Sequence, residues 1–77
     1  MERISRDLLL RCGFIAKSDN VFFKKDVSEQ ENIFIINIIY NEEQDEENYS
    51  TTFGARLYTF ADLEMIWFLL TRQYLSK

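Results

Sequence analysis

Apolar residues follow two periods along the chain. From Phe14 to Leu57 they alternate or run together as strands do, and from Tyr58 to Leu75 they recur at helical spacing. Stepping ~100° per residue from Leu63 places Leu63, Ile66, Trp67, Leu70 and Tyr74 on one stripe of that last segment. Ala61, Met65, Phe68, Leu69 and Leu75 form the opposite stripe, and Asp62, Glu64, Thr71 and Gln73 fill the narrow edges. Thr59 stands where it caps the N–H of Asp62 while the Asp62 carboxylate reaches back. Tyr58 and Leu63 occupy the staple positions on either side of that capping box. A helix apolar on two faces needs two surfaces to pack against.

The earlier pattern predicts a first helix over Ile4 to Cys12. Ile4, Leu8 and Cys12 share a face with Met1, Leu9 and Leu10 lie to either side, and Gly13 is a left-handed stop. Phe14 to Lys17 reads as a short strand, and Ser18-Asp19-Asn20 as a turn. Val21 to Val27 reads as an edge or near-edge strand guarded by Lys24 and Lys25. After a polar turn over Ser28 to Asn32, Ile33 to Tyr40 is apolar on both faces but for Asn37, as in a central strand covered on both sides. Asn41 to Asn48 reads as a mobile acidic loop. Tyr49 to Leu57 reads as one half-exposed strand, with Gly54 at a bulge or a close backbone approach. The order α-β-β-β-β-α predicts a single α+β domain over residues 1–77. It is a two-layer sandwich in which an antiparallel meander of three to four strands is flanked by N- and C-terminal helices on one face.

Composition adds a constraint on size. With 77 residues, 47% apolar and 16% aromatic, the chain is globular in character. A domain so small buries only roughly 60% of its unfolded surface. Two short helices also cannot cover every apolar position of the pattern. The surplus predicts a self-associating module, most simply a homodimer, or else a surface for another protein. Met65, Phe68 and Leu69 with the neighbouring Arg72 are the candidate contacts, with Phe68 as the aromatic anchor, and the alternative place is the open sheet face, bare at Ile33, Ile35 and Ile39 if those point outward. One cysteine cannot form an internal disulfide, which fits a reducing compartment. The apolar run Leu8 to Leu10 is too short for a signal peptide, and the run Met65 to Leu70 is far below the ~20 residues that span a bilayer. The expectation is a soluble cytoplasmic protein.

Candidate chemistry is sparse. The chain has no histidine, so Ser–His and Cys–His pairs and structural zinc sites are excluded. Gly13 and Gly54 are its only glycines, too few for a phosphate loop. Cys12 reads as a small buried apolar residue. The acids of Glu42 to Glu47 lack the spacing and central glycine of a calcium loop. No catalytic residue, cofactor or metal is expected, and the chain is read as no enzyme.

Charge offers two alternatives. The net charge of −4 hides a basic stretch over residues 1–25 and eight acids with no base over residues 26–48. Glu42, Glu43, Asp45, Glu46 and Glu47 form a possible surface for a basic partner, as in an acidic inhibitor of a nucleic-acid-binding protein. Arg3, Arg6, Arg11, Lys17, Lys24 and Lys25, interleaved with Phe14, Phe22 and Phe23, suggest weak binding of single-stranded nucleic acid. The acidic total opposes the second idea.

Three segments carry a resemblance: Asp7-Leu8-Leu9-Leu10-Arg11-Cys12-Gly13-Phe14, Leu57-Tyr58-Thr59-Phe60-Ala61-Asp62-Leu63 and Trp67-Phe68-Leu69-Leu70-Thr71. In these the chain resembles small proteins of Bacteroidetes phages and conjugative elements. The shared features are a leucine-rich helix closing in Cys-Gly-Phe, a meander, and a final helix with an aromatic–Leu–Thr pattern. The His and Gln pair of their final helices is absent here. The resemblance covers both ends of the chain, rests on capping and core residues, and implies an accessory protein of a mobile element with no activity to carry over.

Overall fold

In the computed structural model, residues 1–25 and 33–76 are described. Helix α1 spans Arg6–Arg11, strands β1 to β5 span Ile15–Ser18, Val21–Lys25, Ile33–Asn41, Glu46–Thr51 and Arg56–Leu57, and helix α2 spans Phe60–Thr71. The five strands form one antiparallel sheet in the order β1-β2-β3-β4-β5. Both helices contribute to one core with one face of that sheet: Leu8, Leu9, Leu63 and Trp67 meet Phe22, Phe34, Ile36, Ile38, Tyr49 and Leu57. The fold is therefore α+β in two layers, as the pattern predicts.

The first helix is shorter than the apolar spacing suggests, because Ser5 takes the N-cap and its hydroxyl accepts from the Leu8 N–H. Residues before it are spent on the other end of the chain. Arg3 bridges Thr59, the Ile4 N–H donates to the Tyr58 carbonyl at 2.9 Å, and the Phe60 N–H donates to the Glu2 carbonyl at 2.9 Å. Leu9, expected off the main stripe, is fully buried beside Leu8, whereas Leu10 and Met1 are exposed. Gly13 closes the helix at φ 90°, as its position requires.

The strand at Val21 is near-edge, the second of the two expected placements. It lies between β1 and β3, and the exposed four-residue β1 is the edge. Lys24 consequently faces the core layer rather than guarding a margin: its ammonium donates to the Cys12 carbonyl and sits 5.2 Å from the Trp67 ring centroid. The proposed extension of this strand to Val27 and the turn over Ser28 to Asn32 lie outside the described residues.

Two further expectations fail downstream. The acidic stretch over Asn41 to Asn48 is not a loop throughout, since only residues 42–45 turn and Glu46 already belongs to β4. The Asn41 carbonyl oxygen of the side chain accepts from the Glu43 and Gln44 N–H groups, which tightens the hairpin. Tyr49 to Leu57 is two strands rather than one. After Thr51 the chain reverses, with Thr51 N–H bonded to the Ala55 carbonyl at 2.8 Å and Gly54 N–H to the Thr51 carbonyl at 3.1 Å. Gly54 supplies φ 90° for that turn, and open space surrounds it, so no backbone approaches closely.

Helix α2 begins with the expected capping box, the Asp62 N–H donating to the Thr59 hydroxyl and the Asp62 carboxylate accepting from Thr59 N–H. It ends earlier than its apolar period, at Arg72 in the left-handed conformation with φ 60°. The helical phase is lost beyond that point. Leu75 turns into the core, and Tyr74 stacks outside on Phe68 with ring centroids 5.0 Å apart.

Candidate functional site

Charged side chains mostly consume one another. Glu47 on β4 receives the Arg6 guanidinium as a fork, with Nε at 3.0 Å and Nη2 at 2.6 Å from the same carboxylate oxygen. These bonds hold the Glu47 carboxyl below its ordinary pKa and raise that of Arg6. Arg3 and Arg56 both approach Glu46 at 3.7 Å, and Arg11 binds Glu2 and Asp7. Of the proposed basic patch, Arg3, Arg6 and Arg11 thus face carboxylates, and Lys24 is tied to Cys12 and Trp67. Of the proposed acidic surface, Glu42 and Glu43 stand exposed at the hairpin tip, Asp45 accepts from the Tyr40 hydroxyl, and Glu46 and Glu47 face arginines. Among the described residues no group of histidine, cysteine and carboxylates is placed to hold a metal. Cys12 is buried.

Apolar surface is distributed differently. On α2, Met65 and Leu69 are each 57% exposed on the outer side. Phe68 is half-buried against Tyr74, and Arg72 is exposed at the C-cap. The four proposed contacts therefore share one end of one helix, and the intended anchor has part of its ring already covered.

The sheet face away from the helices carries more. Period-two geometry and the strand register put Ile15, Val21, Phe23, Ile33, Ile35, Asn37 and Ile39 on it together, with Lys25 opposite Ile33 at the end of β2. Ile15, Ile33 and Ile39 are 58%, 55% and 64% exposed. Ile15, Phe23 and Ile35 lie in one row across three strands. Toward β4 and β5 the same face turns polar through Asn48, Ser50 and Arg56, whose guanidinium donates to the Asn48 side-chain oxygen at 2.6 Å. β3 was expected to be covered on both sides; among the described residues it is covered on one. A run apolar on both faces but for Asn37 predicts burial on both, whereas both helices pack on the other face.

A groove of about 310 Å³ opens at one end of this sheet, lined by Ile33, Phe34, Ile35, Thr52, Phe53, Leu70 and Thr71. It exists because β4 pairs with β3 only as far as Thr51 opposite Ile36, after which the turn at Gly54 carries the chain away. Sequence reasoning missed it by reading Tyr49 to Leu57 as a continuous strand; the Thr51/Gly54 reversal was signalled only by the glycine.

Among the described residues, no helix is long and apolar enough to cross a membrane. Comparison with protein-family models, curated proteins and solved structures finds no match for this chain.

Proposed function

We propose that this chain is a non-enzymatic protein-interaction module that self-associates through uncovered apolar surface, an accessory protein of the mobile-element type. The observation that supports it is the bare sheet face. An antiparallel sheet with one solvated face ordinarily alternates apolar and polar residues, whereas β3 here places Ile33, Ile35 and Ile39 outward. Contiguous apolar area of this kind on a small domain is characteristic of a binding surface. The paired charges argue in the same direction, since arginines and glutamates that neutralise one another leave little field for a charged partner.

Sedimentation equilibrium over a wide concentration range tests the reading. The 9.3 kDa chain is expected to approach twice that mass with rising concentration. Ile39→Lys is expected to remain at monomer mass with an unchanged circular dichroism spectrum. A wild-type chain that stays monomeric at every concentration overturns the proposal.

A further inference from the structure

We infer that the partner on the open sheet face is a second copy of this chain, packed sheet against sheet about a twofold axis at Asn37. This rests on the self-association proposed above and adds its geometry. Asn37 is the middle residue of β3, which is the middle strand of five. On the open face its neighbours are Ile35 and Ile39 along the strand, with Val21 and Ser50 beside it. The side chain is half-buried, and within the described residues it makes no hydrogen bond. A primary amide carries both a donor and an acceptor. In a twofold contact the residue at the axis meets its own copy. An amide there pairs with itself, each oxygen accepting from the other nitrogen, whereas a lone carboxylate or ammonium would repel its image. A single polar amide in an apolar seam is a known device for fixing register between identical chains.

The five strands, of four, five, nine, six and two residues, at ~4.8 Å between strands and ~3.3 Å per residue give a flat footprint of roughly 400 Å², the size of a small, concentration-dependent contact rather than the ~800 Å² per partner of a standard interface. Apolar residues occupy the middle of the β1–β3 half, with Lys25 at its end opposite Ile33, and polar ones the β4–β5 margin, the arrangement of an interface core and rim. Two such sheets would pack ~10 Å apart with strands nearly aligned, giving four layers with the helices outside.

Cysteine cross-linking tests the geometry under conditions where wild type is dimeric. Two sheets ~10 Å apart hold facing Cα atoms too far apart for a direct disulfide, so Asn37→Cys is expected to be joined into a covalent dimer by a short thiol-reactive bifunctional reagent, while Met65→Cys on α2 and the wild type, whose Cys12 is buried, stay uncrosslinked. Asn37→Asp is expected to weaken dimerisation at least tenfold at neutral pH while remaining folded by circular dichroism. A dimer that cross-links through Met65→Cys but not Asn37→Cys overturns the sheet-face geometry and leaves self-association standing. A dimer that cross-links through neither, or that tolerates Asn37→Asp, also overturns it. A wild-type monomer overturns both the geometry and the self-association.

Discussion

The two faces of the sheet are built from the same residue types and differ in what lies over them. On β3, Phe34, Ile36 and Ile38 point toward the helices and are buried, while Ile33 and Ile39 on either side of them are more than half exposed. Isoleucine at consecutive positions thus serves two purposes in one strand. Under the helices it supplies the free energy of folding. On the other face the same side chain contributes little to the monomer, and in the self-association proposed above it makes the contact between molecules. Composition alone cannot separate these roles; the number and length of the helices does.

That difference is sharpest at Ile36, which is fully buried. Ile36→Ala removes packed volume from the single core and is expected to cost about 2–5 kcal/mol of unfolding free energy. For a domain of this size that is a large share of the total. Urea unfolding at a concentration below the dimerisation range measures it. A cost under 1 kcal/mol would mean that the helix layer does not hold the sheet as described.

Ion pairing tests the helix-covered side at its margin. Glu47 has a lowered pKa, chiefly through its hydrogen bonds to Arg6, and Asp62 through the N–H groups of Tyr58 and Thr59. Groups whose pKa is lower in the folded state add stability that is present above their unfolded values, ~4.3 for Glu and ~3.9 for Asp, and is lost as pH falls through the folded ones. Acid titration of the unfolding free energy should therefore show a drop beginning near pH 4–5. Glu47→Gln should flatten it and cost about 1 kcal/mol at pH 7, small because both side chains are about one-third exposed. At the start of α2, Thr59→Ala removes the cap of Asp62 N–H and is expected to cost ~1 kcal/mol by the same unfolding measurement.

How much of this was legible before any coordinates follows a physical line. Local signals came through: the Thr59/Asp62 capping box, the Gly13 stop and the β3 strand are each specified by neighbours within a few residues. Decisions made by distant partners did not. Whether Glu46 and Glu47 repel or extend a strand depends on Arg3, Arg6 and Arg56, which are far away in sequence. The end of α2 at Arg72 likewise defeats an apolar period that continues to Leu75, because Leu75 is needed in the core and leaves the helix to reach it. The surplus of apolar surface was legible, and so were its two candidate places, the outer stripe of the last helix and the open sheet face with Ile33, Ile35 and Ile39; the choice between them was not. The helical period of Tyr58 to Leu75 drew attention to Met65, Phe68 and Leu69, whereas the larger bare area lies across β1 to β3.

The smallest expected effect isolates the open face most cleanly. Ile39→Thr keeps a β-branched residue suited to a strand and exchanges a methyl-bearing arm for a hydroxyl that water can solvate. Ile39 is 64% exposed, so the monomer should lose no more than ~0.5 kcal/mol, the range of ordinary surface substitutions. Measured at low concentration, its unfolding midpoint should be indistinguishable from wild type. Under the proposed self-association the wild type should gain stability by mass action at high concentration, and the variant should gain less. A large loss at low concentration would show that something in the monomer already covers Ile39, and the two faces would then be alike.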